Sequence, residues 1–233
     1  MRLILFDIDG TILLTDGAGR RAIHRALLEE TGTAGPIDSY RFDGKTDPQI
    51  VRELLTHAGH PDAGVAERVR AVCDRYVGLL EAELGRPAHQ TRLMAGITDL
   101  LAALIPYETD KRAVVGLLTG NLERGAALKL HSAGIAPTRF ALGAYGSDAA
   151  HRPDLPDIAR RRAEHLLGTQ IAGADVVIIG DTPDDVACAR PIGARTIGVA
   201  TGYFDVAALR AAGASWVFAD LSDTRAVLDA LIS

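Results

Sequence analysis

The chain has 233 residues, enough for one large core or a core with a smaller companion, and its 48% hydrophobic and 24% charged content is that of a soluble globular enzyme. A net charge of -5 gives no general attraction for nucleic acid, and no apolar run approaches the ~18 residues of a membrane-spanning helix. Cys73 and Cys188 lack metal-ligand spacing and read as small buried residues; with no basic leader before an apolar stretch, the cytoplasm is the default location.

The first element is a short apolar run, Leu3–Phe6, with the length of a buried strand. It ends in two aspartates one residue apart, Asp7 and Asp9, followed by the turn pair Gly10-Thr11. Taken alone, an Asp-x-Asp pair is commonly a helix cap beside a solvated side chain. From about Asp16 to Gly96 the pattern turns helical. Ala22, Ile23, Ala26 and Leu27 make one face, and Ile50, Val51, Leu54 and Leu55 a second. Val69, Val72, Cys73, Tyr76, Leu79, Leu80 and Leu84 make a third, longer stripe. About eighty residues far exceeds a normal strand-to-helix connection. The segment therefore reads as an inserted all-α cap domain, residues 16–89, entered through Leu14–Gly19 and left through Arg86–Gly96.

A helix at Asp99–Leu104 restarts the core, and the strand Val114–Leu118 runs into Thr119-Gly120-Asn121. Strands at Phe140–Tyr145, Val176–Ile179, Thr196–Val199 and Trp216–Phe218 then alternate with helices. The helices are Leu122–Ala133, Leu155–Leu167, Asp184–Arg190, Asp205–Ala212 and Thr224–Ile232. Asn121 is expected to cap the first of these, and Ser222 or Asp223 the last. Such alternation implies right-handed βαβ units: an α/β fold whose Rossmann-like, doubly wound parallel sheet comprises residues 1–15 and 90–233. Ligands of such sheets bind at the carboxyl ends of the strands. There Asp7 and Asp9 would meet Thr119 and the acids of Gly180-Asp181-Thr182-Pro183-Asp184-Asp185. Buried carboxylates are expensive to desolvate without a cation, so this convergence points to a bound metal and to chemistry.

Together these motifs resemble the haloacid dehalogenase superfamily of phosphotransferases. Phe6–Thr11 is similar to that family's first motif, Leu118–Asn121 to its second and Gly180–Asp185 to its acidic fourth. The helical insertion resembles its small cap. Gly44-Lys45-Thr46-Asp47 and Gly198–Gly202 are similar to the phosphoglycolate phosphatase-like branch. The third motif departs from the family's form, which places a lysine before the helix leading to the fourth-motif strand. The only lysines here are Lys45, Lys111 and Lys129, and Arg152-Pro153 occupies the expected place. Arg152 is assigned the role; Lys129 is the alternative, although a lysine on a helix is usually solvated.

The resemblance implies a magnesium-dependent phosphatase acting on a small phosphorylated metabolite through an aspartyl-phosphate. Asp7 would be the nucleophile and Asp9 the general acid and then base. Thr119, Gly120, Asn121 and Arg152 would hold the phosphoryl group, and Lys45 would reach an anionic substrate from the cap. Asp7, Asp9 (through its carbonyl), Asp181 and Asp185 (directly or through water) would hold Mg2+, a hard cation that bridges carboxylates and phosphates. No nucleic acid or membrane partner is implied; Arg160-Arg161-Arg162 reads as a solvated helix face. A phosphosugar mutase on the same core, or a non-catalytic phosphate-binding module, is the alternative.

Overall fold

In the computed structural model, which describes residues 1–233, the run after Met1 forms strand β1 (Arg2–Phe6). A two-residue strand β2 (Leu13–Leu14) leads to helices α1 (Ala18–Thr31), α2 (Asp47–His57) and α3 (Ala66–Leu84). The chain returns through β3 (Arg92–Leu93), which pairs antiparallel with β2 and ties the two connections together. There follow α4 (Ile97–Thr109), β4 (Ala113–Thr119), α5 (Glu123–Ser132), β5 (Gly143–Tyr145) and α6 (Leu155–Leu167). The last elements are β6 (Val176–Gly180), α7 (Pro183–Cys188), β7 (Arg195–Val199), α8 (Val206–Ala211), β8 (Trp216–Phe218) and α9 (Thr224–Ile232).

Six strands form one parallel sheet in the order β5-β4-β1-β6-β7-β8, the doubly wound α/β architecture read from the sequence. The chain builds outward from β1 to one side, then crosses to the other, so β1 marks the switch point where such sheets open a crevice. Side chains alternate between the faces of β1. Ile4 and Phe6 pack with Val115, Leu117, Val177 and Ile179 beneath α4 and α9. Leu3 and Leu5 pack with Ile178 against Leu155, Ala159 and Ala163 of α6. Burial on both faces explains why these strands read as continuous apolar runs. Helices α1–α3 share a separate apolar cluster built from the three stripes, with Leu84 only partly buried at its edge.

Several boundaries differ from those predicted. The strand expected at Phe140–Tyr145 is reduced to β5, because Pro137–Arg139 forms a 3-10 turn and Phe140 packs against Phe6, ring centroids 6.5 Å apart. The helix expected to reach Arg190 ends at Cys188. Pro191 disfavours helical backbone at Arg190, and a 3-10 turn, Arg190–Ile192, replaces the last residues.

Candidate active site

The register of β1 with its neighbours brings the motifs together. Phe6 lies opposite Leu117 of β4 and Ile179 of β6, so the segments leaving all three strands emerge side by side. Asp7 takes the first position beyond β1, its amide donating to the Ile179 carbonyl at 2.9 Å. Asp181 stands just beyond β6. Gly10, at φ 83°, bends the chain away, and a Cβ there would overlap the Asp181 carboxylate. The turn between Asp7 and Asp9 sends their side chains to opposite sides of the crevice.

On the β6 side, oxygens of Asp7, Asp181 and Asp185 lie within 4.8 Å of one another, all three residues buried. One guanidinium faces them. Arg152, 4% exposed in the 3-10 turn before α6, bonds Asp185 Oδ1 and approaches Asp7 Oδ1 at 3.5 Å. Its Nε has no partner within the protein. Three carboxylates against one cation leave negative charge uncompensated. Burial, partly offset by Arg152, pushes the Asp7 carboxyl up to about 7. Burial together with Asp185 and Asp7 raises Asp181 well above the usual range. A hard divalent cation with oxygen preference would relieve both. Asp185 is less free: its Oδ2 accepts from the amide and hydroxyl of Thr182 in a capping box, and its Oδ1 from Arg152. Asp184, in the first turn of α7, lies outside this cluster.

On the β4 side, Asp9 meets Lys129 and Asn121. Lys129 Nζ donates to Asp9 Oδ2 at 2.6 Å, Asp9 Oδ1 at 2.8 Å and Asn121 Oδ1 at 2.6 Å. Asn121 Nδ2 donates to Asp9 Oδ2 at 2.7 Å and to Thr119 Oγ1 at 2.8 Å. Thr119 is fully buried and its oxygen also accepts from the Asn121 amide, which leaves its own hydroxyl proton for a ligand. The expectation that a lysine on α5 would be solvated is corrected here: Lys129 is 5% exposed. The signal was in the sequence, since Gly125, Ala126, Lys129 and Leu130 share one helix face.

Asn121 is also not the helix cap it was expected to be. Helix α5 starts at Glu123, and the Leu122 amide donates to Asp47 Oδ2 at 2.8 Å. Asp47 comes from the helical insertion, where Thr46-Asp47 opens α2. The Asp47 amide donates to the Gly120 carbonyl at 2.8 Å and the Thr46 hydroxyl to the Ala150 carbonyl at 2.7 Å. Gly120 allows this contact, because a Cβ there would overlap the Lys45 carbonyl. Arg41 stacks on the ring of Tyr203, 3.6 Å from its centroid, a contact between the insertion and the loop after β7.

Between core and insertion lies a cavity of about 590 Å³ reaching from Asp7, Asp9 and Arg152 to Arg20, Phe42 and Lys45. Lys45 lines it, but its ammonium is bonded to Glu53 and Tyr40 at 2.6 Å each. Arg20, not singled out from sequence, lies 4.1 Å above Phe42 and bonds the carbonyls of Ile37 and Tyr40, with no carboxylate partner.

A family model described as "HAD-hyrolase-like" matches residues 150–224. A phosphoglycolate phosphatase of Neisseria meningitidis is 26% identical over 232 residues, covering 96% of this chain and 92% of that protein. Another, of Synechococcus elongatus, is 27% identical, covering 96% and 95%. Among solved structures, a hydrolase from Pseudomonas syringae superposes with a TM-score of 0.74 at 21% identity, over 100% of both chains. CbbY from Rhodobacter sphaeroides, in complex with phosphate, superposes with a TM-score of 0.69 at 21% identity, over 96% of both. In sequence and fold the chain is similar to haloacid dehalogenase-like hydrolases. The relatives it matches along nearly its whole length are phosphatases. No helix is long and apolar enough to cross a membrane.

Proposed function

We propose that the protein is a magnesium-dependent phosphatase that hydrolyses a small anionic phosphomonoester through an aspartyl-phosphate on Asp7. The observation that carries this reading is the division of the crevice: Asp7 beside Asp181 and Arg152 on one side, Asp9 with Asn121 and Lys129 on the other. Magnesium suits the oxygen donors of Asp7 and Asp181, and when bound it would neutralise charge on the phosphoryl oxygens. Asp185, with both oxygens engaged, orients Arg152 and the turn of Thr182 instead of acting as a principal ligand. Asp9, its side chain engaged by Asn121 and Lys129, would offer the ion its backbone carbonyl.

Asp7 attacks phosphorus while the ester bond breaks, and Asp9 gives its proton to the departing oxygen. Asp9 then takes a proton from water as that water displaces Asp7, releasing inorganic phosphate. The free hydroxyl proton of Thr119 and the unpartnered Nε of Arg152 suit phosphoryl oxygens. Contacts between the 44–47 loop and the loop after β4 hold the insertion against the crevice. Arg20 is a better contact than Lys45 for a second acidic group on the substrate, because Glu53 already answers the lysine's charge. Phosphoglycolate is the first ester to test, given the relatives that act on it.

The test is phosphate release from p-nitrophenyl phosphate and from phosphoglycolate, with magnesium and with EDTA. Turnover should need the metal and vanish in Asp7→Asn. Interconversion of sugar phosphates without phosphate release, or tight phosphate binding without hydrolysis of any ester, would refute the reading.

A further inference from the structure

Lys129 has no place in the reaction as described, yet it is a buried ammonium at the heart of the crevice. A lysine has three donors. All three are spent: two on the oxygens of Asp9 and one on Asn121 Oδ1. None remains for a phosphoryl oxygen or for the rest of a substrate. The Asn121 amide group closes the ring by giving one hydrogen to Asp9 and the other to Thr119. The Asp9 side chain is 40% exposed, so without this ring it could turn freely into the cavity. Arg152 cannot serve Asp9, because it is committed to Asp185 and Asp7 across the crevice.

We infer that Lys129 is the positioning residue for Asp9: with Asn121 it clamps the carboxylate in one orientation, aimed at the departing oxygen and then at the attacking water. This rests on the role proposed for Asp9, and it makes Lys129 something other than a substitute for the third-motif cation. The clamp acts on both half-reactions through a single group. Its removal should therefore lower kcat and leave KM nearly unchanged.

The experiment is a double-mutant cycle on the full-length protein with Lys129→Met and Asp9→Asn. Methionine keeps the volume of the stem and leaves Asp9 open to solvent, while buried Asp47 loses the ammonium that opposes its desolvation. Lys129→Met should reduce kcat about 10- to 100-fold, the worth of a charge-assisted hydrogen bond, with KM changed less than about threefold. In the Asp9→Asn background the same change should cost less than about threefold, since nothing remains to position. Fully multiplicative losses, or a raised KM at unchanged kcat, would overturn the inference and make Lys129 a substrate contact. Wild type without turnover on any ester would instead refute the proposed function. In that event, crystal structures of wild type and Lys129→Met still decide the clamp: an Asp9 carboxylate fixed in the same place in both would overturn it. Should Lys129→Met not fold, Asn121→Ala removes the other half of the ring and should give the same split of kcat from KM.

Discussion

Replacing Asp47 by asparagine should make the protein more stable at neutral pH. The residue is 6% exposed, and burial, opposed by Lys129 and the Leu122 amide, pushes its carboxyl from the ordinary 3.8 up to about 6. A carboxyl whose folded pKa lies above its unfolded one favours folding when protonated. That contribution is complete below about pH 4 and is lost as pH rises through about 6. A rise of this size corresponds to about 3 kcal/mol at most. Asparagine keeps an acceptor for the Leu122 amide but surrenders the charge-assisted part of the bond, on the order of 1 kcal/mol. The net gain at pH 7.5 is therefore about 1–2 kcal/mol, or roughly 2–8 °C in Tm for a chain of this length. Urea unfolding of wild type and Asp47→Asn at pH 4.5 and 7.5 measures it directly. The two curves should nearly coincide at the lower pH and separate at the higher. A variant less stable than wild type at pH 7.5 would refute the reasoning, because the charge at the start of α5 would then outweigh its desolvation.

Three further outcomes are expected. Arg152→Ala strands Asp7 and Asp185 and should cost about 3–5 kcal/mol of stability in the metal-free protein, read by urea unfolding. It should also lower kcat more than Lys129→Met, with Arg152→Lys recovering only part of the loss, because an ammonium cannot span both carboxylates as the guanidinium does. Magnesium should raise the Tm of wild type by several degrees at pH 7.5 and far less in Asp181→Asn, read by differential scanning fluorimetry. Arg41→Ala removes the stack on Tyr203 and should raise KM a few-fold at nearly constant kcat, checked by steady-state kinetics on the best ester.

What could be read in the sequence follows the range of the forces involved. β1 declared itself because a strand buried on both faces must be apolar throughout, and α1–α3 because each has a single apolar stripe. The acids at strand ends were legible for a similar reason: a parallel sheet sends every carboxyl end to one edge. Contacts that depend on where the insertion docks were not. Asp47 was legible only as the end of the Gly44-Lys45-Thr46-Asp47 motif, and only the docked loop brings it to the Leu122 amide, 75 residues away. Lys45 looked free to bind substrate because nothing local tells that Glu53, two helical turns on, will take its charge. Lys129 was misjudged for a different reason. A buried lysine is so costly without a partner that exposure is the sensible default, and its partner lies 120 residues away.

The position of β1 also accounts for the way charge is sorted. The charged groups contributed from the β6 side are acidic, Asp181 and Asp185, and Arg152 crosses to meet them. Everything contributed from the β4 side is neutral or cationic: Thr119, Asn121 and Lys129. A strand end can serve both only by splitting its own acids, and the bend at Ile8 between them does so. It leaves Asp7 among the carboxylates, where a cation is needed, and turns Asp9 to the ammonium. Neither cation can then stand in for the other. An ammonium moved to position 152 would face Asp7 and leave Asp9 unclamped, whereas a guanidinium at position 129 would find one carboxylate and one amide where its fork needs more acceptors.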